Sequence, residues 1–377
     1  MGGCPGCPVI WGCTNMKTRL AIPLLLLASA VVAADTPTSA PVGPDAILAQ
    51  LSALPWPAFD QSRAKDDAYL HEYDNEKDAY FDRQAQLQSE FCRRFPNDPR
   101  AESLRFDNWK IKLVHGDAAQ IADDLEQFMK DHPAGPESED DRADFAFVHY
   151  RLAQKYPDRM QKVAESFSNG QPRNELGARL LANVAETSAE LEKRNNLYRR
   201  IIIEYPGSEP ANLAAGKLRQ ISQMGMPFEL SFYDAVTGDW IDVEKMRGKF
   251  VVIDFWATWC APCVRDIPHL AGLYSKYKDK GLEIIGVSLD GPQPGDGANL
   301  EGFRTFAKNH KIDWPQFYQG AGPNSGFSTS WGALPIPTVF VIDATGRLYS
   351  SDARHDLDDL IPKLLMVPKE KKSLPKK

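Results

Sequence analysis

The chain has 377 residues, more than one hydrophobic core usually organises, so two domains and a processed or flexible end are expected. Hydrophobic residues make up 43% of it and charged residues 25%, which excludes wholesale disorder and a polytopic membrane protein. The net charge of -7 offers no clustered basic surface for nucleic acid, except a short basic tail at 368–377 that we interpret as a solvated end.

The first segment, 1–34, has the pattern of an export signal that starts late. Lys17 and Arg19 precede an apolar run from 20 to 32, and small residues follow at 33 and 34, as in a cleaved secretory signal. Because such a signal normally begins at its own methionine, we interpret 1–15 as an over-long start and Met16 as the true one. The pattern predicts a protein of the periplasm or cell envelope. An uncleaved signal would instead anchor it to the membrane.

The next segments predict a linker and an all-α domain. Residues 35–45 are rich in Pro, Ser, Thr and Gly, and from 46 to 222 apolar residues recur at helical spacing. Four helix ends in this region share an aromatic residue or histidine before a proline, at Pro96, Pro133, Pro157 and Pro206. Proline stops a helix, and a following Asn, Asp or Ser caps the next. The last hairpin resembles tetratricopeptide-type hairpins, but the spacing is irregular. Such a domain is either a protein-docking surface or a plain helical bundle.

From 223 to 367 strands and helices alternate. Apolar runs predict strands at 240–241, 250–255, 282–288, 316–318, 338–342 and 348–350. Helical spacing predicts helices at about 261–279, 298–310 and 355–366. We therefore expect an α/β domain whose central mixed sheet is flanked by helices.

Two cysteines lie three positions apart where a strand passes into a helix, in DFWATWCAPCVRDIP at 254–268. A CxxC pair in this context is typical of redox chemistry. Cys260 would lie at the helix N-terminus, where free N–H groups and the helix dipole favour a thiolate, so we predict it to be the nucleophile. Pro262 suits the first turn because no N–H is needed there. Cys263, one turn further in, is predicted to be less exposed and to act as the resolving thiol.

Two other interpretations of this pair stay open, a structural zinc half-site and an inert disulfide. Structural zinc generally needs four ligands, and the chain after residue 34 adds only Cys92 and scattered histidines. We therefore predict no metal and no cofactor. Cys92 is expected to be a buried apolar residue rather than a member of a disulfide relay.

The sequence VVIDFWATWCAPCVRDIP, followed by GVSLD and GALPIPTVFVID, resembles the thioredoxin fold and, within it, the TlpA/ResA-like thiol-disulfide oxidoreductases of the cell envelope. The resemblance covers about 227–366 and says little about 46–222. It implies a redox-active disulfide between Cys260 and Cys263. It also implies that the bond between Ile336 and Pro337 is cis, in a loop that presents backbone to an extended substrate segment.

The resemblance extends to residues around the cysteines. Asp254 matches the buried acid of thioredoxins, whose raised pKa would suit it to move the proton of Cys263. The alternative is a satisfied aspartate at a strand end. Asp266 matches a position where the envelope branch commonly carries glutamate, and its shorter side chain leaves a plain helix-surface role equally open. Trp259 is expected to shield the disulfide, and Trp256 to lie in the core.

Together these features predict an extracytoplasmic thiol-disulfide oxidoreductase acting on protein dithiols and disulfides. The resemblance favours a reductase, recharged by an upstream membrane or envelope redox partner, in envelope thiol homeostasis or cytochrome c maturation. A peroxiredoxin stays open as an alternative, although it needs a PxxxTxxC context and the expected proline ahead of Thr258 is missing. A helical binding protein with a passenger redox domain also stays open, and it would tolerate loss of both cysteines.

Overall fold

The computed structural model describes residues 43–291, 299–322 and 325–366. These residues form two compact units, one that ends at Arg194 and one that begins at Asn195. The predicted export signal, most of the predicted linker and the basic tail lie outside the described residues. Within those ranges, no helix has both the length and the apolar character needed to cross a membrane.

The first unit is entirely helical among its described residues. Its elements are α1 (Pro44–Ser52), α2 (Asp67–Arg94), α3 (Ala101–His115), α4 (Ala118–Asp131), α5 (Glu139–Ala153), α6 (Pro157–Gly170), α7 (Glu175–Thr187) and the start of α8 (Leu191–Glu204). The four prolines that the sequence analysis singled out lie at helix boundaries. Helices α2, α4 and α8 end two residues before Pro96, Pro133 and Pro206, and Pro157 begins α6. Side chains of Asp66, Ser138 and Asn174 accept first-turn N–H groups, as capping residues do.

The interior of the helical unit is aromatic and holds one neutral histidine. Phe106 packs edge to face against Phe128, with ring centroids 5.2 Å apart. His149 is buried, its Nε2 lies 2.9 Å from the carbonyl oxygen of Met160, and burial lowers its pKa to about 4. The Cys92 thiol is half-buried and donates to the carbonyl of Ala101, and burial raises its pKa to about 11. Cys92 is therefore a neutral thiol at pH 7, which fits a packing role.

The second unit is built on a mixed sheet. After the end of α8 come α9 (Glu209–Ser222), β1 (Ser231–Tyr233), β2 (Trp240–Asp242), β3 (Phe250–Trp256), α10 (Ala261–Tyr277), β4 (Leu282–Ser288), α11 (Leu300–Asn309), β5 (Gln316–Tyr318), α12 (Gly326–Ser330), β6 (Thr338–Ile342), β7 (Leu348–Ser350) and α13 (Leu357–Met366). Strands β1 and β2 pair with each other, and the larger sheet has the order β5-β4-β3-β6-β7. Strand β3 is parallel to β4 and antiparallel to β6. The predicted thioredoxin-like α/β fold, preceded by an all-α region, is confirmed.

Strand β3 occupies the centre of the sheet because its sequence, FVVIDFW, is apolar on both faces. Every residue of the strand is buried. A strand covered on both faces by helices needs such a continuous apolar run rather than an alternating one. Asp254 is the only charged residue in this run, so the fold places one carboxyl in the most buried strand.

Three features of this unit differ from the sequence-based expectation. Strand β1 and helix α12 were not predicted, because three strand residues and five Gly- and Ser-containing helical residues give no readable period. Helix α9 was grouped with the helical region 46–222, yet it lies in the compact unit that contains the sheet. The boundary between 222 and 223 stays a prediction, whereas the structure divides the chain at Arg194.

Helix α9 contacts the rest of the sheet unit through a close approach of two glycines. A Cβ atom on Gly216 would lie 2.1 Å from the backbone nitrogen of Gly332 and 2.6 Å from its Cα. Gly332 itself has a φ of 55°, a left-handed conformation that glycine adopts without strain. The helix can approach this loop so closely only because neither residue carries a side chain.

We expect Gly216→Ala to destabilise the sheet-containing unit by about 3 kcal/mol or more, because the added methyl group overlaps backbone atoms that cannot rotate away. Denaturant unfolding followed by a probe in this unit measures the change. The matched control is Gly272→Ala in α10, where an added Cβ meets no atom within 4 Å. That variant should gain about 0.5–1 kcal/mol from helix propensity alone. Equal stabilities for the two variants would contradict the close approach.

Candidate active site

The two cysteines of the CxxC motif form a disulfide at the start of α10. The Sγ atoms of Cys260 and Cys263 are 2.08 Å apart and the Cα atoms 5.3 Å apart. Cys260 is the N-cap residue of α10, and its Sγ accepts the backbone N–H of Cys263 at 3.3 Å. Pro262 lies in the first helical turn, where its missing N–H leaves no hydrogen bond unmade. Sequence and structure agree on this arrangement.

The exposure of the pair differs from what the sequence predicts. Cys263 was expected to be the less exposed sulfur, but in the disulfide form Cys260 is 0% and Cys263 3% exposed. The expected order of exposure is therefore wrong for this state, since both residues are buried. Trp259, directly before Cys260, is 37% exposed. Trp259 and Ala261, the two neighbours of Cys260 in the chain, are both exposed, while the disulfide is buried.

The loop that joins β3 to α10 is held by a buried carboxylate at the end of β4. Thr258 donates its backbone N–H at 3.1 Å and its hydroxyl at 2.6 Å to Asp290. The hydroxyl of Ser288 donates to the same carboxylate at 2.7 Å. Burial raises the pKa of Asp290, while the hydrogen bonds from Thr258 and Ser288 lower it. These bonds fix the backbone two residues before Cys260.

Trp256, the last residue of β3, is a buried core residue, as expected. A hydrogen bond fixes the position of its side chain. Its indole N–H donates to Gln316 Oε1 at 3.0 Å. The Gln316 side chain lies over Gly286 of β4, where an added Cβ would be 2.2 Å from Gln316 Oε1. A glycine at this point therefore makes room for the amide that orients the tryptophan.

A loop with two cis peptide bonds enters the sheet beside the cysteine loop. The Leu334–Pro335 and Ile336–Pro337 bonds are both cis, whereas the sequence led us to expect this only for the second. Strand β6 begins at the next residue, Thr338, which pairs with Phe255 of β3. Pro337 therefore lies at the same end of the sheet as the end of β3 that leads to the disulfide.

Asp254 is the buried acid of the site. Burial raises the pKa of its carboxyl to about 7, the negative charge of Asp266 adds to this rise, and the Arg354 guanidinium opposes it. Among the described residues, no group is within hydrogen-bonding geometry of its side-chain oxygens to stabilise the charged form. A carboxyl in this environment exchanges its proton near neutral pH, which is the property a general acid or base needs.

Asp266 is half-buried and pairs with an arginine that the sequence analysis did not identify. Arg354 Nε donates to Asp266 Oδ2 at 2.8 Å from the turn before α13. Asp266 also lies three residues after Cys263, so the two share a face of α10. Its negative charge, on the face of α10 that carries Cys263, raises the pKa of Asp254 in β3. A plain helix-surface role for Asp266, the alternative left open by the sequence, does not account for its ion pair with Arg354.

The structure thus adds Thr258, Asp290 and Arg354 to the residues around the disulfide. The GVSLD motif was available as a signal for Asp290, but its spacing gave no indication of a bond to the cysteine loop. No local signal identifies Arg354, since 88 residues separate it from Asp266. Within the described residues, no cluster of three or more His, Cys, Asp or Glu side chains is arranged to hold a metal ion. The chemistry available is thiol-disulfide exchange beside an acid that titrates near pH 7.

Comparisons with known proteins point to the same chemistry. The model of the AhpC/TSA family matches residues 221–351. The chain is 32% identical over 111 residues to the thiol-disulfide oxidoreductase ResA of Bacillus anthracis, a match that covers 29% of this chain and 58% of that relative. It therefore spans little more than half the length of this relative. It is 31% identical over 159 residues to the thiol:disulfide interchange protein HelX of Rhodobacter capsulatus, covering 42% of this chain and 78% of HelX.

Two solved structures give matches of the same extent. One is the thioredoxin domain of a thiol-disulfide oxidoreductase from Bacteroides vulgatus, with 24% identity, a TM-score of 0.33, and coverage of 38% of this chain and 97% of that one. The other is described as a putative thiol:disulfide interchange protein DsbE from Chlorobium tepidum, with 22% identity, a TM-score of 0.32, and coverage of 37% and 94%. Because the chain is 31% identical to HelX and the match extends over more than three quarters of that protein, this chain belongs to the family of thiol-disulfide interchange proteins.

Proposed function

We propose that this chain exchanges disulfides with protein substrates outside the cytoplasm, through Cys260 and Cys263, and that it acts as a reductase. One observation carries the proposal: the two cysteines are bonded at the N-terminus of α10, where the Cys263 N–H points at the sulfur of Cys260. That N–H stabilises whichever form of the Cys260 sulfur carries negative charge. The pair is therefore arranged for a nucleophile and a resolving partner.

The first step joins substrate and protein. In the reduced chain, the Cys260 thiolate attacks one sulfur of a substrate disulfide, a mixed disulfide forms, and the other substrate sulfur leaves as a thiolate. The loop of Ile336 and Pro337 offers backbone to an extended substrate segment, with Trp259 and Pro262 on the cysteine side. The pairing of β3 with β6 brings this loop and the cysteine loop to the same end of the sheet, which supports that role.

The second step releases the substrate. Asp254, when ionised, accepts the proton of Cys263, whose thiolate attacks the Cys260 sulfur. The Cys260–Cys263 disulfide forms and the second substrate sulfur leaves as a thiolate, so two electrons have passed to the substrate. Asp266, paired with Arg354, adjusts the proton affinity of Asp254 by its charge. The disulfide must then be reduced by an upstream dithiol.

The place of this chemistry follows from the N-terminal sequence. A secretory signal at 16–34 would deliver the chain to the periplasm or cell envelope, where cysteine pairs oxidise readily. A reductase there requires a membrane or envelope redox partner as its source of electrons. In this proposal the reductase serves envelope thiol homeostasis or cytochrome c maturation. The helical domain would be a docking surface for protein partners.

A peroxide reductase is a weaker candidate for this site. It would need a cysteine whose threonine neighbour is available to activate a peroxide, whereas the Thr258 hydroxyl donates to Asp290 in the interior. Cys260 is also bonded to a cysteine only three residues away. A low turnover of hydrogen peroxide beside a fast turnover of protein disulfides separates the two functions.

Replacing the resolving cysteine should trap substrates on the nucleophile. We expect reduced Cys263→Ser protein to accumulate mixed disulfides through Cys260 when mixed with an oxidised envelope extract, because the second attack is lost. Non-reducing electrophoresis followed by mass spectrometry detects the adducts. The matched control, Cys260→Ser, should form few adducts, because Cys263 lacks the N–H contact that stabilises a thiolate at the N-cap and burial raises the pKa of Cys92 to about 11. Equal trapping by both variants would contradict the assigned roles.

The ionisation of Asp254 should govern the release step. We expect the rate of mixed-disulfide resolution in the wild type to rise with pH through about 7, as Asp254 becomes able to accept a proton. Asp254→Asn should lower this rate about 100-fold at pH 7 and remove the inflection. Stopped-flow kinetics over pH 5 to 9 measures both. Arg354→Gln should move the inflection upward, since the guanidinium lowers the pKa of Asp254. An unchanged inflection in Asp254→Asn would assign it to another group.

The same pKa predicts a stability effect of defined sign. The folded-state pKa of Asp254, about 7, lies above the usual 3.8, so the folded chain retains a proton that the unfolded chain loses. The contribution of Asp254 to stability is therefore most favourable below pH 4 and is lost as pH rises through 7. Asp254→Asn should be more stable than the wild type by a few kcal/mol at pH 8, and about equally stable at pH 4. Urea unfolding at the two pH values checks this, and the reverse order would contradict it.

A further inference from the structure

Helix α9 supplies a buried hydrogen-bond donor to the end of α12. Gln220 is 7% exposed, and its Nε2 donates to the carbonyl oxygen of Trp331 at 2.6 Å and to that of Gly332 at 3.2 Å. The last carbonyls of a helix have no partner within the helix and need an external donor when buried. Gln220 therefore satisfies two carbonyls at the point where α12 passes into the loop with the cis prolines.

A second residue of α9 holds the same point from the solvent side. The Arg219 guanidinium lies over the Trp331 ring, 4.2 Å from its centroid, and donates to the Ser330 hydroxyl at 3.2 Å. The ring of Trp331 packs in turn against Phe340 of β6, with centroids 5.8 Å apart. Contacts from α9 thus reach both the start of the loop and the strand that follows it.

The segment that follows the C-terminal end of α9 is tied to the sheet. Just after the helix, the Gly225 N–H donates to the Leu348 carbonyl at 2.8 Å, and the Leu348 N–H donates to the Met226 carbonyl at 2.9 Å. Leu348 belongs to β7, the edge strand beside β6. The segment 223–227 is therefore hydrogen-bonded to the sheet on its way to β1. The C-terminal part of α9 is therefore held by hydrogen bonds to the end of α12 and, just after the helix, to β7.

The loop between these anchors is itself buried. Ala333, Leu334 and Ile336 are almost inaccessible, and the Thr338 hydroxyl donates to the Pro335 carbonyl at 2.5 Å. The backbone position of Pro337 therefore depends on where the loop starts, at Gly332, and where it ends, at Thr338. The sheet fixes the end through the pairing of Thr338 with Phe255. Helix α9 fixes the start.

From these contacts we propose that α9 is a brace for the cis-proline loop, and that Gln220 is a positioning residue for disulfide exchange with protein substrates. The inference rests on the proposed function, since the position of the loop matters only if the loop receives substrate backbone. A preorganised loop binds an extended segment without first being ordered, which lowers the entropic cost of binding. A small disulfide, which lacks a backbone segment, makes no use of the loop.

The test compares Gln220→Met with Asn212→Ala in the full chain. Methionine keeps the length of glutamine and fills the same space, but it donates no hydrogen bond. Asn212 lies on the exposed face of α9 and is the matched control. With oxidised insulin as an added protein substrate, we expect Gln220→Met to raise KM about tenfold, as loss of one or two buried hydrogen bonds implies. The kcat with a small aromatic disulfide should stay within about twofold, and Asn212→Ala should match the wild type in both assays.

Hydrogen exchange gives a readout that a general loss of stability does not mimic. The amides of Gly332, Ala333, Leu334 and Ile336 should exchange at least about tenfold faster in Gln220→Met, while those of β3 and α10 keep wild-type rates. If Gln220→Met does not fold, Arg219→Ala removes only surface contacts to Trp331 and Ser330, and should give the same pattern at a smaller size. Wild-type KM and wild-type loop exchange in the folded variant would overturn the proposal.

Failure of this inference is distinguishable from failure of the proposed function. If the wild-type chain reduces neither insulin nor the small disulfide, the proposed function is wrong and the kinetic comparison is replaced by the exchange measurement, which tests the brace alone. If the wild type is active and Gln220→Met behaves like Asn212→Ala in both assays, the function stands and the brace is wrong. Equal losses with both substrates would also reject it, because they would place Gln220 in the chemistry of the cysteines.

Discussion

The hydrogen bonds from Thr258 to the buried Asp290 determine the route of the chain from β3 into α10, and the geometry of the cysteine pair depends on them. A carboxylate with no accessible surface needs several donors to stay in the interior, and the cysteine loop supplies two of them. The bond is therefore mutual, since the loop satisfies the carboxylate and the carboxylate fixes the loop. Cys260 follows two residues later as the N-cap of α10, and the N–H of Cys263 donates to its sulfur.

Local pattern was enough to predict the parts of the molecule that local forces determine. The seven apolar residues of β3, the proline-marked helix ends and the strand-to-helix position of the cysteine pair each follow from a period or a turn that a short window contains. The buried position of Trp256 followed in the same way. Strand β1 and helix α12 were missed because they are short, and packing rather than propensity stabilises them. The cis peptide bond before Pro335 had no separate signal in the sequence.

Contacts between distant segments were beyond the sequence. Arg354 meets Asp266 across 88 residues, and Gln220 meets Trp331 across 111. Neither arginine nor glutamine forms a motif with its partner, so only the folded chain brings them together. Helix α9 shows the same limit at the level of an element. Its sequence is helical like the region before it, whereas the glycine that decides its neighbour, Gly216, is indistinguishable from a weak point in an ordinary helix until Gly332 is seen against it.

Two opposing influences on the Cys260 sulfur bear on the direction of exchange. The N–H of Cys263 and the dipole of α10 stabilise a thiolate, and a stabilised thiolate makes the disulfide form more oxidising. Burial of both sulfurs and the negative charge of an ionised Asp254 destabilise the thiolate, and so favour the disulfide and make the dithiol the stronger reductant. Because the pKa of Asp254 is about 7, this second influence strengthens as pH rises through neutrality. Under the proposed function, the proton on Asp254 is therefore linked to the redox equilibrium of the pair as well as to the release step, and its loss favours the proposed reductase direction.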